Sequence, residues 1–133
     1  MADVPLTAYL REWCRHRFSW ARHNCGHFVV GWLAVNGVTI DDDLLGTFTT
    51  PKGWRRALRR RGFDGLVELA DHRLAPTAWA RRTGPARCGD LVVVRDPGGR
   101  ELFGVSLGDA VVMPAERGLV STRGATVLAA WGP

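Results

Sequence analysis

The start of the chain carries apolar residues at helical spacing. Residues 6 to about 16 are predicted to form a helix with one apolar stripe, because apolar side chains recur one turn apart. The members of that stripe are Tyr9, Leu10, Trp13 and Cys14. We therefore expect Cys14 to lie in the core.

A second, more apolar helix is predicted from Cys25 to about Asn36. Its side chains are apolar nearly all round, which is typical of a buried central helix, and Gly37 supplies a glycine where such a helix ends. Asn24 stands immediately before it and is a good N-cap residue. Cys25 should therefore occupy the first turn of a buried helix.

Two further helices are predicted before the pattern changes. Thr50 should cap a helix that begins at Pro51 and ends at Gly62. A shorter helix is expected from Gly65 to about Asp71. Together these elements make the first half of the chain helical.

From Asp90 onward the apolar positions alternate with period two, which indicates strands. Tight turns containing glycine separate them, so a three-stranded antiparallel meander is predicted at 91–94, 102–107 and 110–113. Residues 118–121 and 126–131 are predicted as edge strands. The fold class is therefore α+β, with N-terminal helices packed on a C-terminal antiparallel sheet.

The length, 133 residues, predicts a single domain that spans the whole chain. We divide it into a helical half, residues 1–75, and a β half, residues 88–133. Residues 76–87 combine Pro, Gly and Arg and are expected to form an irregular connector. The six tryptophans are expected mostly as core or interface anchors.

Composition excludes several classes of protein and site. No apolar stretch is long enough to cross a bilayer and the N-terminus lacks a signal pattern, so we expect synthesis in a cytoplasm. The three cysteines lack metal-ligand spacing and suit reduced thiols. Asp41-Asp-Asp43 lacks the glycine and distal glutamate of a calcium loop and is expected as a solvated turn or helix cap. We therefore predict neither a metal nor another cofactor.

Basic residues concentrate in the predicted third helix. The net charge is +5, and the densest run lies between Lys52 and Gly62. Trp54, Ala57 and Leu58 give this helix an apolar face. The opposite, solvated face carries Arg55, Arg56, Arg59 and Arg60. The run has no interleaved aromatic residues and no known nucleic-acid-binding motif, so it does not favour nucleic acid as a partner. An acidic neighbouring subunit or a teichoic or phospholipid surface would suit the charge.

Cys25 is the main candidate for chemistry. A thiolate at the start of a helix is favoured by the helix dipole, which would activate Cys25 as a nucleophile. Such a thiol needs a histidine that accepts its proton and later protonates the leaving group. The equally simple alternative is that Cys25 is a small packing residue.

Several short strings in the chain resemble the NlpC-like branch of the papain-fold cysteine peptidases and amidases. The strings Phe18-Ser-Trp-Ala-Arg-His-Asn-Cys25, Gly89-Asp-Leu-Val-Val-Val94 and Leu102-Phe-Gly-Val-Ser-Leu-Gly108 occur in the order that the family shows. Gly46-Thr-Phe-Thr-Thr-Pro-Lys-Gly53 and the terminal Ala-Ala-Trp-Gly132 resemble small members encoded in phage and gene-transfer-agent tail modules. The resemblance implies a papain-like fold in which the Cys25 helix packs against the sheet.

The resemblance also implies that the catalytic histidine has been replaced. The family carries this histidine at the start of the second strand, where this chain has Leu102. We therefore expect the Leu102 side chain to face Cys25 across a former cleft. His23 and His72 are weak candidates for a substitute base, and His27 should point away from Cys25 on the same helix.

These observations predict a structural or assembly component of a phage or phage-like tail tip with a degenerate peptidase domain. The predicted location is the virion tail tip, after synthesis in the host cytoplasm. The predicted partners are tail hub, distal tail or fibre proteins, with Trp54 and the four arginines of the third helix as interface candidates. The main alternative is an active cell-wall amidopeptidase that cleaves peptidoglycan stem peptides with Cys25, and an intracellular immunity or toxin-like protein is a third.

Overall fold

A computed structural model describes residues 3–19, 23–41, 44 and 50–133 of the chain. It contains four helices followed by six strands. The helices are α1 (Asp3–Trp13), α2 (Cys25–Val35), α3 (Pro51–Arg60) and α4 (Leu66–Leu74). The strands are β1 (Ala80–Arg81), β2 (Leu91–Arg95), β3 (Glu101–Ser106), β4 (Val111–Pro114), β5 (Leu119–Thr122) and β6 (Thr126–Gly132).

The strands form one antiparallel sheet in the order β1-β6-β2-β3-β4-β5. The predicted α+β class and the meander of β2, β3 and β4 are confirmed. The prediction of β6 as an edge strand is wrong, because β6 pairs with β2 on one side and β1 on the other. The connector is also more regular than predicted, since β1 lies within it.

The two faces of the sheet are covered differently. One face packs against the helices and forms the main core with Phe28, Trp32 and Leu74. The other face holds a smaller cluster of Val92, Val94, Val111, Met113 and Ala130, against which Ala86 of the connector packs. Because neighbouring residues of a strand point to opposite faces, Phe103 and Val105 of β3 belong to the main core and Leu102 to the smaller cluster.

Side-chain hydrogen bonds join the helices to the sheet and to each other. The indole of Trp32 on α2 donates to the Gly89 carbonyl at 2.7 Å, and the indole of Trp131 on β6 donates to Asp71 on α4 at 2.9 Å. Tyr9 on α1 donates to the Phe28 carbonyl at 2.6 Å. Each donor therefore keeps a partner inside the core, and four of the five tryptophans that the structure describes, Trp13, Trp32, Trp79 and Trp131, are buried.

Helix α1 differs from its prediction at both ends. It begins at Asp3, because Pro5 lies in the first turn, where a missing backbone N–H costs no helical hydrogen bond. It ends at Trp13, so Cys14 lies beyond the helix and is exposed. The expectation of Cys14 in the core is wrong, while Tyr9, Leu10 and Trp13 do pack against the core.

Candidate functional site

Cys25 is the first residue of α2, as predicted, and its position is fixed by the cap before it. The Asn24 side chain accepts from the His27 N–H at 2.9 Å, and the His27 imidazole Nδ1 accepts from the Asn24 N–H at 3.4 Å. This reciprocal pair satisfies two backbone donors of the helix start. Asn24 is only 2% exposed, so the cap is part of the core.

The thiol of Cys25 is held in its protonated form. Burial raises its pKa, and this effect exceeds the opposing effect of backbone hydrogen bonding at Phe103, Cys25 and Gly26. Burial therefore opposes the thiolate that the helix start would favour. The residue retains partial exposure and packs against the main core.

A cavity of about 320 Å³ lies beside Cys25. Its walls come from α2, the start of α3, the segment that leads into α4 and the start of β3. The described residues that line it are Cys25, Pro51, Trp54, Arg55, Leu58, Asp64, Gly65, Leu66, Gly99, Arg100, Glu101 and Leu102. The cavity that the thiol borders is thus lined by apolar side chains, two arginines and two carboxylates.

Leu102 borders this cavity, but its side chain belongs to the other face of the sheet. In the register of β2 and β3, Val94 pairs with Leu102 and Val93 with Phe103. Leu102 packs with the smaller cluster, whereas Phe103 lies in the main core on the side of α2. The expectation that the Leu102 side chain faces Cys25 is wrong, because the sequence match identified the strand but not which face each residue takes.

Whichever of Leu102 and Phe103 faces Cys25, this point of β3 carries no ionisable side chain. Next to Leu102 along β3, the residue on the α2 side of the sheet is Phe103, which has no proton to exchange. Neither candidate at this point of the strand is able to act as a base. The position of Leu102 as the counterpart of a catalytic histidine stays a prediction.

The two candidate substitute bases make their described side-chain contacts elsewhere. His23 stacks on His16 with ring centroids 4.2 Å apart, and Trp13 contacts it edge-on at 5.5 Å. His72 lies in the last turn of α4 and contacts Phe63 edge-on. Among the described residues that line the Cys25 cavity, there is no histidine.

Glu101 is a site residue that the sequence reasoning missed. It accepts from the Leu66 N–H at 3.2 Å with one carboxylate oxygen. The N-cap of α4 is Gly65, which offers no side chain, so Glu101 caps this helix from a strand. Only the long-range contact between β3 and α4 reveals this role, and no local pattern carries it.

The basic face of α3 has the exposure that the sequence predicts. Thr50 caps the helix by accepting from the Gly53 N–H at 3.0 Å, and Leu58 is buried. Trp54 is only partly exposed and packs against the main core, so it contributes little to the outer face. The exposed basic positions are Lys52, Arg55, Arg56, Arg59 and Arg60.

The Gly89-Asp90 pair has a structural role in the fold. Asp90 is 1% exposed and receives two hydrogen bonds of 2.9 Å from the Arg82 guanidinium and one from the Arg87 N–H. The same carboxylate raises the pKa of Arg82. Asp90 therefore fixes the connector to the start of β2.

The described residues also bear on a metal site and on a membrane span. Within the described ranges, no group of three His, Cys, Asp or Glu residues is placed to hold a metal ion. Asp41 pairs with Arg73 at 3.1 Å, while Asp42 and Asp43 lie outside the described residues. No helix in this part of the chain has the length and apolar character to span a membrane.

Comparison with known proteins gives one match. No curated protein and no solved structure shows significant similarity to the chain. A family model described as a domain of unknown function, DUF6950, matches residues 2–132. Because the match covers nearly the whole chain, the protein belongs to the DUF6950 family.

Proposed function

We propose that this protein is a structural component of a phage or phage-like tail tip, built on a papain-like domain of the NlpC type that has lost its hydrolytic activity. The observation that carries the proposal is the environment of Cys25. The thiol lies at the start of a core helix, against β3 and beside an open cavity, which is the arrangement that the sequence resemblance implies. Its protonated state and the lack of a histidine in the described lining argue against catalysis.

The helix and sheet order supports the fold assignment. A cysteine-bearing helix is followed by further helices and then by an antiparallel sheet, in which Gly89-Asp90 stands directly before β2 and Leu102-Phe-Gly104 lies in β3. A thiol hydrolase needs the thiolate to form as the substrate carbonyl is attacked. Burial of Cys25 opposes that step, since it favours the neutral thiol, and no histidine is among the described residues that line its cavity.

The surface supports a binding role. Arginine is enriched in protein interfaces, and the outer face of α3 presents four arginines to solvent. A tail tip holds several different proteins in fixed contact, so a small domain with a rigid core and a charged face suits that position. The proposed partners are the tail hub, distal tail or fibre proteins.

The alternative is an active amidopeptidase, and the cavity of about 320 Å³ beside Cys25 favours it. A cavity of this size would admit part of a peptide substrate. In that case the base would have to come from a rearrangement that brings His23 or His72 to the thiol.

Both readings are tested with a Cys25→Ala variant in the intact particle and a Cys88→Ala variant as the control, since Cys88 is exposed and lies away from the cavity. We expect both variants to assemble into infectious or transducing particles at the normal level, whereas deletion of the gene should leave tails incomplete. Loss of a general base costs about two to four decades in rate, so the purified protein should release peptide from peptidoglycan only at background.

Other results would favour the amidopeptidase or reject the tail assignment. If Cys25→Ala particles assemble but fail to enter cells, and the wild-type protein cuts cell-wall peptides where the Cys25→Ala protein does not, the amidopeptidase reading is correct. If particles assemble normally without the gene product, the tail assignment is wrong.

A further inference from the structure

The charge of the protein is concentrated on one helix. Six of the eighteen basic residues and none of the thirteen acidic residues lie between Lys52 and Arg61. The rest of the chain therefore carries a net charge near zero. The net positive charge of the whole protein is in effect the charge of α3 and the residue after it.

Five of these cations share one face of the helix. Lys52, Arg55, Arg56, Arg59 and Arg60 follow the i, i+3, i+4, i+7, i+8 pattern, so they form a stripe about 12 Å long. All five are exposed, and within the described part of the chain no carboxylate forms an ion pair with them. Four of them line a surface concavity of about 300 Å³.

Among the described residues, no carboxylate neutralises the positive charge of this stripe, although carboxylates neutralise other arginines elsewhere on the surface. Arg73, Arg81 and Arg123 each contact an aspartate within about 3 Å. Like charges one helical turn apart destabilise a helix by a few tenths of a kcal/mol per pair. A partner with negative charge would remove that repulsion and would be attracted at long range.

We propose that the outer face of α3, defined by Lys52, Arg55, Arg56, Arg59 and Arg60, binds an acidic segment of another protein. Guanidinium groups form bidentate hydrogen bonds with carboxylates, which gives direction as well as attraction. The inference deepens the proposed function, and rests on it in one respect: that the protein works by binding another protein.

Three observations favour protein carboxylates over other anions. The face has no exposed aromatic residue to stack on a single-stranded base, because Trp54 packs inward. It has no apolar side chains to enter a membrane interface. The remainder of the chain has a net charge near zero and adds no net attraction for a long nucleic-acid duplex, whereas a compact acidic segment matches the stripe in size.

The test uses the purified full chain and a fluorescein-labelled helical peptide whose glutamates repeat the spacing of the stripe. A peptide with glutamine at the same positions is the control ligand. Arg56→Glu/Arg59→Glu is the test variant. Arg11→Glu/Arg117→Glu is its matched control, since it changes the net charge equally at exposed positions on α1 and in the loop between β4 and β5. Circular dichroism and urea unfolding check that both variants fold.

We expect the glutamate peptide to bind and the glutamine peptide not to bind. Binding should weaken by about tenfold or more in Arg56→Glu/Arg59→Glu, change far less in the control variant, and fall as salt is added. An unlabelled DNA duplex and vesicles of phosphatidylcholine with phosphatidylglycerol serve as competitors. The proposal predicts that neither displaces the peptide as well as unlabelled peptide does.

Three results would overturn the proposal: no peptide binding, equal weakening in the two variants, or preferred binding of the duplex or vesicles through the same arginines. The last result would reassign the face to nucleic acid or membrane. Peptide binding is measured without particles, so it is independent of the tail assignment. Normal tail incorporation of the Arg56→Glu/Arg59→Glu variant together with no peptide binding would reject this inference alone.

Discussion

Helices α2 and α3 are built alike at their ends and differ in between. They have eleven and ten residues, and each begins at a polar N-cap whose side chain accepts a backbone hydrogen bond. Each is followed by a glycine with positive φ, Gly37 at 78° and Gly62 at 83°. In both, the residue after the glycine returns a hydrogen bond into the last turn, from Val38 to Leu33 and from Phe63 to Leu58.

The side chains between these caps give the helices different roles. Five residues of α2 are buried, Gly26, Phe28, Val29, Trp32 and Leu33, whereas only Leu58 of α3 is buried. Helix α2 therefore holds the core together and fixes the position of Cys25. Helix α3 is attached to the core along one stripe and offers the rest of its surface to solvent. Matched substitutions in the two helices test this division.

The largest effect is expected from Trp32→Ala in α2. Trp32 is 1% exposed and donates to the Gly89 carbonyl, so its loss leaves a cavity and an unpaired acceptor. We expect the free energy of unfolding to fall by about 3–5 kcal/mol, measured by urea denaturation. If Trp32→Ala lowered the free energy of unfolding by less than a substitution at an exposed position of α3 does, α2 would not be the central element of the core.

Removal of the N-cap side chain should also lower the free energy of unfolding more in α2 than in α3, but with smaller effects than Trp32→Ala. Asn24→Ala should cost about 1–2 kcal/mol, because the lost acceptor is buried and part of a reciprocal pair. Thr50→Ala should cost about 0.5–1 kcal/mol, since Thr50 is exposed. Urea denaturation of both variants gives the comparison. Equal costs would mean that burial adds nothing to the cap of α2.

A smaller effect concerns the titration of Cys25. The pKa of this thiol is raised above its ordinary value of 9.0, so the unfolded chain releases the proton at lower pH than the folded chain. The stabilisation by the neutral thiol is therefore complete below about pH 9 and is lost as the pH rises above it. Cys25→Ser should weaken this alkaline loss of stability.

Alkylation measures the same property directly. In a Cys14→Ser/Cys88→Ser protein, the pH midpoint for reaction of Cys25 with iodoacetamide should be higher in the folded state than in urea. A protein that keeps only the exposed Cys88 checks that the reagent is active on the folded chain. A lower midpoint in the folded state would indicate an activated thiol and would favour the amidopeptidase.

The smallest effect is expected from Arg56→Ala in α3. Arg56 is exposed and forms no ion pair within the described residues, so the free energy of unfolding should change by less than about 0.5 kcal/mol. Urea denaturation beside Trp32→Ala completes the comparison. A large loss would assign the basic face a structural role and would weaken the case for a binding surface.

Features that depend on neighbours in the sequence were predictable. The start of α2 after Asn24, the start of α3 at Pro51 and the glycines that follow both helices depend on local hydrogen bonds and backbone preferences. The change to period two near Asp90 marks β2 for the same reason.

Features that depend on distant contacts were not predictable. The central place of β6 and the addition of β1 come from pairings between segments far apart in the chain. The face that Leu102 takes depends on the register with β2, and the raised pKa of Cys25 depends on what covers the thiol. The resemblance therefore placed the Cys25 helix beside β3, as the structure has them, without fixing which face of the strand each side chain takes.

The place of β6 affects the order in which the protein is able to fold during synthesis. Residues 126–132 form β6, which lies between β1 and β2 in the sheet. Until β6 has been made, β1 therefore lacks its pairing strand and β2 lacks one of its two. While the ribosome still holds this segment, one edge of β2 stays open to other chains. We expect the helices and the β2–β5 meander to stay incomplete until residues 126–132 have left the ribosome, and the sheet to close only after that.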